Sequence, residues 1–178
     1  MTIAPTATIG TMAAGTRALE VLRRAGVAYR LHEYEPHEPP GTDRRRHISW
    51  GDDAAAALGA DPAHVHKTLV ARVDDERLVV AIVPVAGELD FKALAAAAGG
   101  RRSAMADPAE AERATGYVRG GISPLGQRRR LPTVVDAAAL DLPTILVSAG
   151  RRGLQVELAP VDLVRLTDAV VASIARHD

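Results

Sequence analysis

Six consecutive residues without a polar side chain, Leu78-Val79-Val80-Ala81-Ile82-Val83, constrain this chain more than any other feature. The run is short and rich in β-branched residues. It predicts a strand that is apolar on both faces and therefore central in its sheet. His66 to Val73 reads as a preceding strand, with Asp74-Asp75-Glu76 as the turn between the two. A central strand needs a layer on each side, and the rest of the pattern supplies them. Thr16 caps a helix that reaches Ala25 and stops at Gly26. Val27 to Tyr34 alternates as a half-buried strand. Asp52 or Asp53 caps a helix to Leu58, Asp90 caps one over Phe91 to Ala98, and Asp107-Pro108 starts a third that ends before Gly116. Strand-like runs follow at Thr133–Val135, Thr144–Ser148 and Leu154–Leu158, with a helix over Asp162–Leu166 and a tail, Ala169 to Ala175, that fits strand or helix. Adjacent strands with interspersed helices predict one α+β domain with a mixed sheet, in place of a doubly wound βαβ fold.

Length and composition fit that reading. The 178 residues suit a single domain, and 47% hydrophobic with 25% charged residues excludes wholesale disorder. One Trp, three Tyr and one Phe leave the core to small aliphatic side chains and leave few candidates for a stacking site. The absence of cysteine excludes disulfides, thiolate metal sites and a cysteine nucleophile within the chain. No stretch approaches the roughly 20 apolar residues of a membrane span. Residues 1–15 carry no basic, apolar leader pattern and are expected to form a flexible tail ahead of a domain over 16–178. The expected address is cytoplasmic, with no membrane partner.

The net charge of zero conceals an uneven distribution. Residues 51–100 hold four basic and eight acidic side chains; residues 101–130 hold seven basic and three acidic. Three arginine runs, Arg101-Arg102, Arg128-Arg129-Arg130 and Arg151-Arg152, would suit a polyanion such as a phosphate backbone if they converge on one side; singly, each reads as a solvated face. Only Lys67 and Lys92 are lysines. Lys67 opens a strand, where its ammonium can stand at the mouth of a pocket as a point-like donor. The glycine loop Gly120-Gly121 through Ser123 to Gly126 permits close backbone approach, and its successive peptide N–H groups can hold a carbonyl or ribose oxygen; a plain turn is the alternative. His64 and His66 have strand spacing but no third ligand nearby, so no metal or other cofactor is expected. No Gly-x-Ser-x-Gly elbow or triad can be drawn.

Several motifs together carry a resemblance. They are Tyr34, His66-Lys67-Thr68-Leu69, Pro84-Val85-Ala86-Gly87, Met105-Ala106-Asp107-Pro108 and Thr115-Gly116-Tyr117. The longest is Gly120-Gly121-Ile122-Ser123-Pro124-Leu125-Gly126-Gln127 with Leu131-Pro132-Thr133, and Arg152-Gly153-Leu154 completes the set. Over about Arg17 to Asp178 the chain resembles the YbaK/EbsC aminoacyl-tRNA editing family. The resemblance implies an α+β domain with a mixed, barrel-like sheet surrounded by helices, related to the editing insertion of bacterial prolyl-tRNA synthetases. It implies deacylation of Cys-tRNA(Pro) in trans, with the substrate's own thiol attacking its ester. The partners it implies are the aminoacyl 3′ end of a mischarged tRNA and prolyl-tRNA synthetase.

Carried over by position, Lys67 is the essential lysine that holds the terminal adenosine and the ester. Tyr34 lines the pocket, and Gly120, with Gly121 and Ser123 in the same loop, contacts the substrate. Gln155 stands where the family's deacylase has an acidic residue, and the stretch from Pro39 to His47 is longer than the family's usual loop. These departures leave open a deacylase for Ala or Ser, or a non-catalytic tRNA- or nucleotide-binding module.

Overall fold

In the computed structural model, residues 15–37 and 50–177 are described; the expected tail over 1–15, apart from Gly15, and the stretch from Pro39 to His47 lie outside the described residues. The central strand is where the apolar run placed it. β3 (Arg77–Pro84) is buried from Leu78 onward, antiparallel to β2 (His66–Val73) on one side and parallel to β6 (Thr133–Asp136) on the other. With β5 (Ser103–Met105) beyond β2 and β9 (Val170–Ala172) beyond β6, these form a five-stranded mixed sheet in the order β5-β2-β3-β6-β9. A three-stranded antiparallel sheet, β1-β8-β7, is built from β1 (Tyr29–Glu33), β7 (Ile145–Arg151) and β8 (Leu154–Leu158). A two-stranded pair joins β4 (Glu88–Leu89) to β10 (Ala175–Arg176).

The large and the three-stranded sheets touch where Val65, just ahead of β2, bridges Leu146 of β7; the Leu146 N–H donates to His64 C=O at 3.0 Å. They do not close. β5 and β9 end the five-stranded sheet, so the architecture is an α+β domain of open mixed sheets.

Side-chain alternation along β3 explains why both faces had to be apolar. Val80 and Ile82 face the main core, which the β7–β8 hairpin, α1 (Arg17–Ala25), α4 (Pro108–Thr115) and α5 (Pro160–Thr167) complete through residues such as Leu22, Val147, Val156 and Leu163. Val79, Ala81 and Val83 face a second core closed by Leu89, Leu94 of α3 (Phe91–Ala97) and Ile174. A third, smaller cluster packs Ala54 and Ala55 of α2 (Trp50–Leu58) on Val65, Val85 and Leu146, with Tyr34 against it. α2 begins two to three residues ahead of its expected cap, and Asp52 and Asp53 lie in its first turn.

The sequence pattern missed β4, β5 and a 3-10 turn over Ala137–Asp141. β4 has only two residues, and Ser103-Ala104-Met105 has no β-branched side chain to announce a strand. The ambiguous tail resolves into β9 and β10. Buried Asp136 fixes the passage between them: its Oδ1 accepts from the Ile174 and Ala175 N–H groups at 2.9 and 3.0 Å.

On the outer face of the three-stranded sheet, Glu157 gives a pH prediction. Burial pushes its carboxyl up, but the Thr144 hydroxyl donating to Oε2 at 2.6 Å and His32 Nε2 at 2.9 Å from Oε1 outweigh it, and the net pKa lies below the ordinary 4.5. A depressed carboxylate contributes stability above its unfolded pKa and loses it as pH falls through the native value. Glu157→Gln should therefore lower Tm at pH 7, and the difference from the parent chain should close as melts are repeated down to about pH 3.

Candidate functional site

A cavity of about 510 Å³ opens beside the junction of the two larger sheets. Its wall includes Lys67, Thr68 and Val70 of β2, Met105 at the end of β5 with Ala106 after it, and Ala111 of α4. Arg119, Gly120 and Ile122 of the glycine loop, Ser148 of β7, Gln155 of β8, and Trp50 with Gly51 of α2 complete it. The wall is largely apolar, as a ligand site that excludes water requires.

Polar groups at this wall are left unsatisfied. His66 Nε2, Thr68 Oγ1 and Gln155 Oε1 are buried and, among the described residues, lack a hydrogen-bond partner. Most buried polar atoms in folded chains are paired, so three orphans around one cavity mark it as a place built for a ligand. His66 Nδ1 lies 2.9 Å from the His64 carbonyl oxygen. Since a carbonyl only accepts, the proton sits on Nδ1 and Nε2 carries the lone pair. Burial pushes the imidazole pKa down, which favours this neutral form. His64 thus holds His66 through its backbone, and among the described residues no three metal-ligating side chains cluster.

Lys67 is half-buried in the wall. Burial pushes its pKa down, and the charges of Asp52 and Glu88 pull it back up. No hydroxyl at the wall is set up as a nucleophile. Ser148 Oγ accepts from the Gly150 N–H at 3.3 Å, and Thr68 Oγ1 has no base bonded to it.

The remaining sequence-derived candidates are placed as follows. Tyr34 stands behind the wall. Burial raises its phenol pKa, while the Gly153 backbone and a hydrogen bond from the Gln155 side chain lower it, so Tyr34 reaches the cavity through Gln155. Gly120 lies against the Trp50 indole: with φ +84°, an added Cβ would come within 2.6 Å of Cδ2. Gly121 packs on the Arg151 backbone, where a Cβ would meet Cα at 2.8 Å, and its N–H donates to Val118 C=O at 2.9 Å. That N–H is spent on the turn, so the paired donors expected at Gly120–Gly121 are reduced by one. Ser123 is fully buried outside the wall, and its Oγ accepts from the Leu125 N–H at 3.2 Å.

The three arginine runs do not converge. Arg101 and Arg102 sit at the Asp74-Asp75 turn, where their N–H groups donate to Asp74 Oδ1 and Arg102 pairs with Asp75. That is the far end of β2 from Lys67, about 20 Å away at 3.3 Å per residue. Arg128 and Arg129 follow α4, bonded through their N–H groups to Thr115 and Ala114, and Arg130 borders a separate cavity of about 310 Å³. Only Arg151-Arg152 comes near the mouth, through Trp50, and neither arginine lines the cavity itself. The Arg152 guanidinium lies 4.3 Å from the centroid of Trp50, and Arg151 pairs with Glu33 at 3.3 Å.

Trp50 and Arg119 were not among the sequence-derived site residues. The signals for them were the uniqueness of the tryptophan and the position of Arg119 directly before Gly120-Gly121.

Residues 48–166 match the model of the aminoacyl-tRNA editing domain. EbsC of Enterococcus faecalis, a candidate Cys-tRNA(Pro)/Cys-tRNA(Cys) deacylase, is 36% identical over 163 residues, covering 92% of this chain and 94% of its own. Among solved structures, a candidate trans-editing enzyme for prolyl tRNA synthetase superposes with a TM-score of 0.72 at 25% identity, over 90% of this chain and 95% of its own. The hypothetical protein APE2540 gives a TM-score of 0.77 at 25% identity, over 90% of this chain and all of its own. With more than half of its length matched by the family model and a full-length relative above 30% identity, the chain belongs to the aminoacyl-tRNA editing domain family.

Proposed function

We propose that the chain is a trans-editing deacylase that removes cysteine from mischarged Cys-tRNA(Pro). The observation that carries this is Lys67 standing in an apolar wall beside three unsatisfied polar atoms and no base-paired hydroxyl. Such a wall suits a substrate that brings its own nucleophile. The cysteinyl sulfur bonds to its own ester carbon, the bond from that carbon to the ribose oxygen breaks, and the thiol proton ends on the released ribose hydroxyl. Lys67 donates to the ester or the ribose as charge develops there, which is where a fixed ammonium in a dry site acts most strongly. The name of the E. faecalis relative and the prolyl-tRNA synthetase connection of the structural neighbour support the substrate and prolyl-tRNA synthetase as a partner.

Incubation with Cys-tRNA(Pro), Ala-tRNA(Pro) and Ser-tRNA(Pro), with Pro-tRNA(Pro) as control, tests the reading. Cys-tRNA(Pro) should be deacylated fastest. Loss of all three at the spontaneous rate would refute it. Gln155 favours a second reading, in which Ala or Ser is preferred, because its neutral amide offers no charge to the substrate's ammonium.

Gln155 can still serve the cysteine reading. Its buried Oε1 is an unpaired acceptor, and an amide oxygen accepts from an ammonium without carrying charge. Gln155→Leu should raise KM about tenfold, the cost of about 1–3 kcal/mol for a lost buried hydrogen bond. Gln155→Glu should stay within about threefold of the parent on Cys-tRNA(Pro). A large gain confined to that substrate would show that the carboxylate is needed.

A further inference from the structure

The mouth of the cavity carries a second recognition element. Arg119 is exposed, lines the opening, and among the described residues has no carboxylate partner. Its backbone is doubly fixed: its N–H donates to Glu112 Oε1 at 2.9 Å, and its carbonyl accepts from Arg152 Nε at 2.8 Å. That second bond uses Nε; among the described residues the terminal nitrogens of Arg152 have no hydrogen-bond partner, while its Cζ lies over the Trp50 ring. Two guanidinium groups and one indole thus lie near one rim, with the Arg119 backbone and the Arg152 side chain already held by bonds within the protein, which lowers the ordering cost on binding.

This chemistry has a defined complement. A guanidinium pairs with a phosphodiester through parallel N–H groups, and an indole capped by a guanidinium offers a flat face to an unpaired base. Resting on the deacylase reading for the cavity itself, we infer that Arg119 and Arg152 take the phosphodiester on the 5′ side of the nucleoside that enters the cavity, with Trp50 as the neighbouring stacking face. The site therefore recognises a single-stranded RNA end, and the arginine runs at 101–102 and 128–130 lie away from that path.

Trp50 is the only tryptophan in the chain, so its emission reports on the mouth directly. The test titrates the full chain with adenosine and with a ribotrinucleotide ending in adenosine, in parallel with deacylation of Cys-tRNA(Pro). The trinucleotide should quench Trp50 with a salt-dependent affinity well above that of adenosine. In Arg119→Ala the ratio of the two affinities should fall about tenfold, and the log–log salt slope should flatten by about 0.7, the value for one phosphate contact on a single strand. Arg119→Lys should recover most of the salt slope.

An unchanged ratio and slope in Arg119→Ala, with deacylation intact in the parent, would overturn this inference and leave the deacylase reading standing. A parent chain that binds neither ligand and deacylates nothing would overturn the deacylase reading, and this inference with it.

Discussion

Lys67→Ala should lower kcat/KM for the aminoacyl ester by about 30- to 1,000-fold, or roughly 2–4 kcal/mol, and should barely move Tm. Lys67 is the second residue of β2, at the cavity wall, and its ammonium is already partly stripped of water by burial. Truncation removes a charge held at some desolvation cost, and the cores on either face of β3 keep their side chains. Lys67→Arg should also be poor, because a planar fork cannot replace a compact ammonium in a confined wall. Thermal melts beside single-turnover deacylation check both claims. Parent-like rates in Lys67→Ala would remove the lysine from the mechanism.

Gly120→Val should damage activity and stability together. The residue sits at φ +84°, a region that costs a β-branched side chain about 1–3 kcal/mol. The new Cβ would also press within 2.6–2.8 Å of Cδ2, Cε2 and Cγ of Trp50. Either the indole swings off the rim, away from Arg152, or the loop retreats. We expect loss of most deacylation and a fall in Tm of roughly 3–10 °C for a domain of this size. A shift in Trp50 emission should distinguish displacement of the ring from general loosening. Parent-like activity in Gly120→Val would mean that the loop only turns the chain.

The sequence revealed the scaffold better than the mouth of the site, for physical reasons. The apolar run at Leu78–Val83 could only be a central strand, and Thr16, Asp90 and Asp107 each cap a helix with side-chain bonds to backbone N–H groups. Lys67 and Gln155 fell at one wall because residues of two strands, on different sheets, meet beside a single bridge at Val65 and Leu146. That the arginine runs lie apart was not legible. Adjacent arginines look alike in sequence, whether ion-paired at a hairpin turn, as Arg102 is, or resting on an indole, as Arg152 is. Ser123 shows the opposite error: a hydroxyl in a glycine-rich motif suggests a ligand, but here it closes the local turn on Leu125. Trp50 and Arg119 become neighbours of the mouth only through long-range packing, which periodicity does not encode.

The two larger sheets meet at one bridge and leave their other edges apart, so the cavity has no single owner in the chain. Its walls come from segments near positions 50, 67, 105, 120, 148 and 155. Contacts of such sequence separation form late and together. During refolding, helical signal should therefore recover before deacylation does, and enzymatic competence should appear with the last tertiary contacts. A wall drawn from such distant segments is complete only when the tertiary fold is complete, so activity would be the stricter gauge of the native state.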